Sequence, residues 1–181
     1  MKTLIVHPKD RTTSFLDIVY NTIPNKTVIT GGISKSDLMK EMKSYDRIMM
    51  MGHGTPFGLF SVGQFKNSYG YIIDFSFVEV LKEKKDNVFI WCNADQFVNK
   101  HKLTGFYSGM FISEVGEANY CGLPGTKQNT VDESNFGFCH ILSEYITENS
   151  QTIYDNVMLE YGLIAKENPV AHYNHNRLYI S

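Results

Sequence analysis

The chain lacks any long hydrophobic run. Nothing in it approaches the ~20 apolar residues that a membrane-crossing helix needs. The opening MKTLIVHPKD has too short an apolar core for a signal peptide. No membrane association is therefore expected, and the default location is the cytoplasm. Cysteine is scarce: three residues, an odd number scattered without CxxC spacing, argue against a disulfide framework and against a structural zinc site, leaving free thiols. An excess of charge of one sign is missing too. With 17 Lys+Arg against 19 Asp+Glu the formal charge is -2, so there is no electrostatic footprint for a nucleic acid. There is no G-x-x-x-x-G-K-[ST] loop, and the dispersed glycines around His53 do not make a dinucleotide fingerprint. No cofactor is expected.

What is present suits one α/β domain spanning 1–181. The chain is 43% hydrophobic and long enough to bury a proper core. Short apolar runs alternate with helix-like segments, the pattern of βαβ units around a mostly parallel central sheet covered by helices in a three-layer sandwich. TLIVH reads as the first strand, followed by a helix over SFLDIVYNTI capped by Thr13 or Ser14. KTVIT is the second strand, and SKSDLMKEMKSY a helix with Ser34 or Ser36 as cap. RIMMM is the third strand, and the Gly-rich, aromatic stretch after it has no helical period, which suits a loop or small hairpin. DFSFVEVLKEKK is a helix starting near Asp74 or Ser76, NVFIWC the fourth strand and GMFISEV the fifth. TVDESNFGFCHILSEYI and QTIYDNVMLEYGLI read as helices, and NRLYIS as a last strand.

In open parallel sheets, active groups gather just beyond the carboxyl ends of the strands. The third strand runs out at Gly52-His53-Gly54 and the fourth at Cys92, so the fold would carry an imidazole and a thiol to one edge. That pair suits nucleophilic catalysis. A free thiol, with a pKa near ~8.5, is mostly protonated at neutral pH, and an adjacent imidazole can take its proton and later protonate a leaving amine. Gly52 and Gly54 would let the backbone approach a substrate, and a backbone N–H near the cysteine could hold an oxyanion. As the only thiol with such a neighbour, Cys92 is expected to be the most reactive of the three.

A hydrophobic strand ending in His-Gly, followed after a helix by one ending in Cys, resembles the caspase, gingipain and legumain superfamily of cysteine peptidases. The spacing, 92 - 53 = 39 residues, is somewhat shorter than the ~50 of caspases. The resemblance covers about residues 1–120. It implies a caspase-like fold, His53 as the catalytic histidine, Cys92 as the nucleophile, and a peptide or protein substrate. Trp91 stands where the family has a small residue, and Asn93-Ala94-Asp95 where it has a Gly-containing turn. The alternative is a non-catalytic caspase-like binding module, with His53 and Cys92 structural.

Three carboxylates bear on specificity. Asp95, Glu114 and Glu117 would, if they lined the active edge, make an acidic recess for a Lys or Arg side chain, as in the basic-specific members of that superfamily. Each taken singly is better read as a helix-start carboxylate or a surface charge. Cys121 and Cys139 read as packing residues, and His140, one residue from Cys139 on a helix, cannot face it. His172 and His175 have i, i+3 spacing, but Pro169 and the asparagines of NPVAHYNHN suggest a solvated loop and no metal site.

Overall fold

Strands arise where β-branched and long apolar residues can be buried on both sides, and the computed structural model, which describes residues 1–181, bears this out. In chain order, β1 (Thr3–Val6) leads through a 3-10 turn (Ser14–Leu16) into α1 (Asp17–Tyr20). Next come β2 (Lys26–Ile29), α2 (Lys35–Met42) and β3 (Arg47–Met51). Three short strands follow, β4 (Gly54–Thr55), β5 (Gly58–Phe60) and β6 (Tyr71–Ile73). A second 3-10 turn (Phe75–Phe77) runs into α3 (Val78–Lys82), then β7 (Asn87–Ile90), α4 (Ala94–His101) and β8 (Gly105–Ser108). The chain closes with α5 (Val115–Tyr120), α6 (Gln128–Tyr145), α7 (Ser150–Ile164), α8 (Pro169–His175) and β9 (Leu178–Ile180).

The main sheet has the order β2-β1-β3-β7-β8-β9, all parallel except β9, which runs antiparallel beside β8. Its residues alternate strictly. Leu4, Val6, Ile48, Met50, Phe89 and Trp91 face one core, which α2, α3 and α4 cover. Ile5, Met49, Met51, Val88 and Ile90 face the other, beneath α1, α6, α7 and α8. The sheet therefore lies between two helical layers. The stretch after β3 is an antiparallel three-stranded sheet, β4-β5-β6, set apart from the main one. No helix is long and apolar enough to cross a membrane.

Several elements differ from expectation. The fifth parallel strand is Gly105–Ser108, not GMFISEV. Gly105 is required there because a Cβ would sit 2.1 Å from the Asn87 carbonyl oxygen of the neighbouring strand. The apolar Met110, Phe111 and Ile112 belong instead to the loop leaving β8 and pack under α5 and α6. The residues after Cys92 are not a bare turn: Asn93 takes a left-handed conformation (φ 65) and α4 begins at once. NPVAHYNH is a helix, because the Asn168 side chain accepts from the N–H groups of Val170 and Ala171 and Pro169 occupies the first turn, where no N–H is needed. Its two histidines are separately engaged, His175 Nε2 with the Met158 carbonyl at 2.9 Å and His172 Nε2 with Asn176 at 3.2 Å. Thr13 makes no side-chain cap, whereas Ser34 caps α2 and Asp74 caps the second 3-10 turn.

One residue past β1, His7 is fully buried, with Nδ1 2.9 Å from the Tyr20 hydroxyl and Nε2 3.4 Å from Thr13 Oγ1. Burial pushes its pKa down to about 4, and the pull of Asp17 only partly opposes this. The unfolded chain protonates this ring near pH 6.5 while the folded chain refuses the proton. Stability present above that pH is thus lost as pH falls toward 4, by up to about 3 kcal/mol. Urea unfolding at pH 7 and pH 4.5 should show this loss, and His7→Phe should flatten it. An unchanged pH slope in the variant would show that other groups set it.

Candidate functional site

β3 and β7 are hydrogen-bonded neighbours with Met51 opposite Ile90, and each continues two residues to His53 and Cys92. Two residues is one full side-chain repeat of a strand, so both stay on the face of Met51 and Ile90. They line one recess with Thr13, Phe15, Leu16 and Phe111. Its free volume is about 20 Å³, room for about one water molecule. Trp91 points to the opposite face, packed edge-on between Phe89 and Phe97, with its indole N–H donating to the Thr55 carbonyl at 3.1 Å. Its bulk therefore does not crowd Cys92.

His53 is oriented by a turn that the sequence reading missed. Its Nε2 lies 2.7 Å from Thr12 Oγ1 and 3.4 Å from Asp10 Oδ2. Asp10 is itself fixed by the N–H groups of Thr12 and Thr13. Partial burial works against its charge, but the hydrogen bonds from Thr12, the nearby imidazole and the Thr13 N–H outweigh this and hold its pKa below the usual carboxylate value. With Nε2 engaged, Nδ1 is the nitrogen left for proton transfer. The local signal was legible: Asp-x-Thr-Thr is a side-chain-capped turn. Its position beside His53 depends on β1 pairing with β3, which no local pattern reveals.

Cys92 is held in the opposite electrostatic state from an activated thiolate. Its Sγ donates to the Phe111 carbonyl at 3.4 Å and faces Glu117 Oε1 at 3.8 Å. Burial, then the Glu117 charge, pushes the thiol up to about 12, so it is protonated at neutral pH. Cys139 is fully buried and raised as well, while Cys121 is only partly buried. The expected reactivity order is therefore reversed in the resting chain.

The three carboxylates do not line the recess shared by His53 and Cys92. Glu114 and Glu117 form the reciprocal capping box of α5, and Glu117 accepts from Ser113 N at 2.7 Å and Ser113 Oγ at 2.9 Å. Asp95 lies in the first turn of α4 beneath Gly109, on the side of Arg177. Burial raises its pKa, against hydrogen bonds from the backbone of Gln96 and of Asp95 itself and the Arg177 charge. The acidic recess expected from these three is not formed. Gly54 has a packing reason: a Cβ would stand 2.2 Å from Trp91 Cδ1 and 2.6 Å from the Gly58 carbonyl, so it is the indole that approaches this backbone.

Among the backbone donors, Gly52 N–H is taken by the Ile90 carbonyl and Asn93 N–H by the Gly109 carbonyl. Those of His53 and Cys92 meet no protein acceptor, which leaves them available to an oxyanion. No family model matches this chain, and neither does any curated protein. Function therefore has to be read from the site itself.

Alkylation by limiting iodoacetamide at pH 7.5, mapped by mass spectrometry, should label Cys121 first and Cys139 last. Glu117→Gln should bring the midpoint of Cys92 alkylation below about 12, since the charge it removes is the second cause of the rise. An unmoved midpoint would leave burial as the whole cause.

Proposed function

We propose that the chain is a caspase-like cysteine hydrolase acting on peptide bonds, with Cys92 as nucleophile and His53 as its acid/base partner. One observation carries this reading: adjacent parallel strands end in these two residues, in matched register, on one face and in one recess. The small antiparallel sheet directly after His53, the antiparallel last strand and the sheet order are further support from the same topology.

The chemistry follows from the setting of the thiol. A sulfhydryl held near 12 cannot wait as thiolate, so a base must take its proton as the sulfur attacks the substrate carbonyl. His53 is that base, steadied by Thr12 and Asp10. The oxyanion would be met by the N–H groups of Cys92 and His53. The imidazolium then protonates the departing amine, and His53 draws a proton from the water that hydrolyses the thioester, freeing the Cys92 thiol. Asp10 and Thr12 touch neither substrate nor sulfur and act as positioning residues.

A second reading, a caspase-like binding module without turnover, draws on the protonated thiol and the closed recess. A fluorogenic peptide library separates the two. Turnover by the wild type should fall by about 10²-fold or more in Cys92→Ala and in His53→Ala, the usual worth of a general base. Asp10→Asn should lower kcat by a smaller factor and leave KM close to its wild-type value. Cleavage that persists in Cys92→Ala would sink the mechanism, and a wild type with no cleavage would favour the binding module.

A further inference from the structure

A second cavity adjoins the recess, sharing Phe15 and Ser113 as a common wall. Its volume is about 200 Å³, enough for one extended side chain and below the roughly 300 Å³ of sites for drug-sized ligands. Thr12, which holds His53, also lines it, so whatever fills it lies beside the dyad.

The polar groups of this cavity are unevenly satisfied. Asn135, on α6, is 4% exposed. Its Nδ2 donates to the Ser113 carbonyl at 2.9 Å, which fixes which end of the amide is oxygen, and its Oδ1 has no partner. An unpaired buried acceptor is rare, and the group that relieves it must bring an N–H or O–H. Glu114 and Asp132 line the same cavity. Asp132 Oδ1 accepts from Gln128 at 2.8 Å, which leaves its other oxygen for a ligand. Arg11 is the one cation on this wall and is exposed, so water screens it, whereas Asn135 is dry.

We infer that this cavity is the specificity subsite of the proposed hydrolase and takes a basic side chain of the substrate, arginine or lysine, through Asn135, Glu114 and Asp132. This rests on the hydrolase reading and supplies its substrate class. A guanidinium suits the wall best, because its five N–H donors can serve Asn135 Oδ1 and a carboxylate together. The subsite lies on the α1/α6 side of the sheet, reached past Phe15, and excludes Asp95 and Glu117.

Binding tests it independently of turnover. Nα-acetyl-arginine N-methylamide, titrated into the full Cys92→Ala chain and followed by NMR, should shift the Asn135 side-chain amide signals. It should bind at least tenfold more tightly than the capped leucine or aspartate analogue. Asn135→Leu should weaken binding at least tenfold. Because that residue is buried, Asp132→Asn, at a partly exposed position, serves as the second variant and should weaken it several-fold. A preference for the capped aspartate would show that Arg11 reads the cavity and would overturn the proposal, as would equal binding of all three ligands. Wild-type turnover measured alongside keeps the two readings apart. Cleavage without a basic preference would sink the subsite and spare the dyad, and arginine-selective binding without cleavage would sink the hydrolase and spare the subsite.

Discussion

The register between β3 and β7 is the constraint on which the site depends. With Met51 opposite Ile90, a side-chain repeat of two carries His53 and Cys92 to the same height and the same face. A slip of one residue would turn Cys92 toward the Trp91 side and His53 away from it. That slip is resisted by the cores themselves. Phe89 and Trp91 on one face, and Val88 and Ile90 on the other, are all buried and would have to exchange environments. Hydrophobic burial thus sets catalytic geometry without any of the buried residues touching a substrate.

The electrostatic state of Cys92 is a consequence of how α5 begins. Glu117 is tied down by three donors, Ser113 N, Ser113 Oγ and Glu114 N, which satisfy the start of the helix. Its other oxygen is thereby held against the sulfur. A helix cap needs a carboxylate at this position and a nucleophile is hindered by one. Both demands fall on one residue, so the thiol stays protonated for as long as α5 keeps this start. The proton can leave only to a base that sits closer to the point of attack, which makes His53 indispensable to the proposed chemistry.

The sequence made the centre of the fold legible and its periphery less so. β1, β3 and β7 announce themselves as unbroken apolar runs because strands covered on both faces need them. β8 is hidden: GFYS begins with a glycine demanded by the approach of Asn87 and ends with a serine whose hydroxyl donates to the Trp91 carbonyl at 3.0 Å, while the more apolar MFI beyond it is loop. α8 was misread because Asn-Pro marks a turn and a helix start equally well, and only the capping bonds of Asn168 decide between them. The roles of His53 and Cys92 could be guessed from their places at strand ends. Those of Asp10, Thr12 and Asn135 could not, since each reaches the site from an element far away in sequence.

The same turn joins the two buried or half-buried histidines at this edge. Thr13 Oγ1 faces His7 Nε2, Thr12 Oγ1 faces His53 Nε2, and Asp10 receives the backbone N–H groups of both threonines. His7 is kept neutral by burial, so its ring accepts a hydrogen bond at one nitrogen and donates at the other, with Tyr20, itself bonded to Asp17, as one partner. Protonating His7 would make both nitrogens donors and remove an acceptor from a closed set of partners. The turn that results would no longer be anchored from beneath, and Thr12 would lose the fixed position from which it holds His53. The stability of the first strand end and the orientation of the proposed base are therefore one structural problem, solved by keeping a single buried imidazole uncharged.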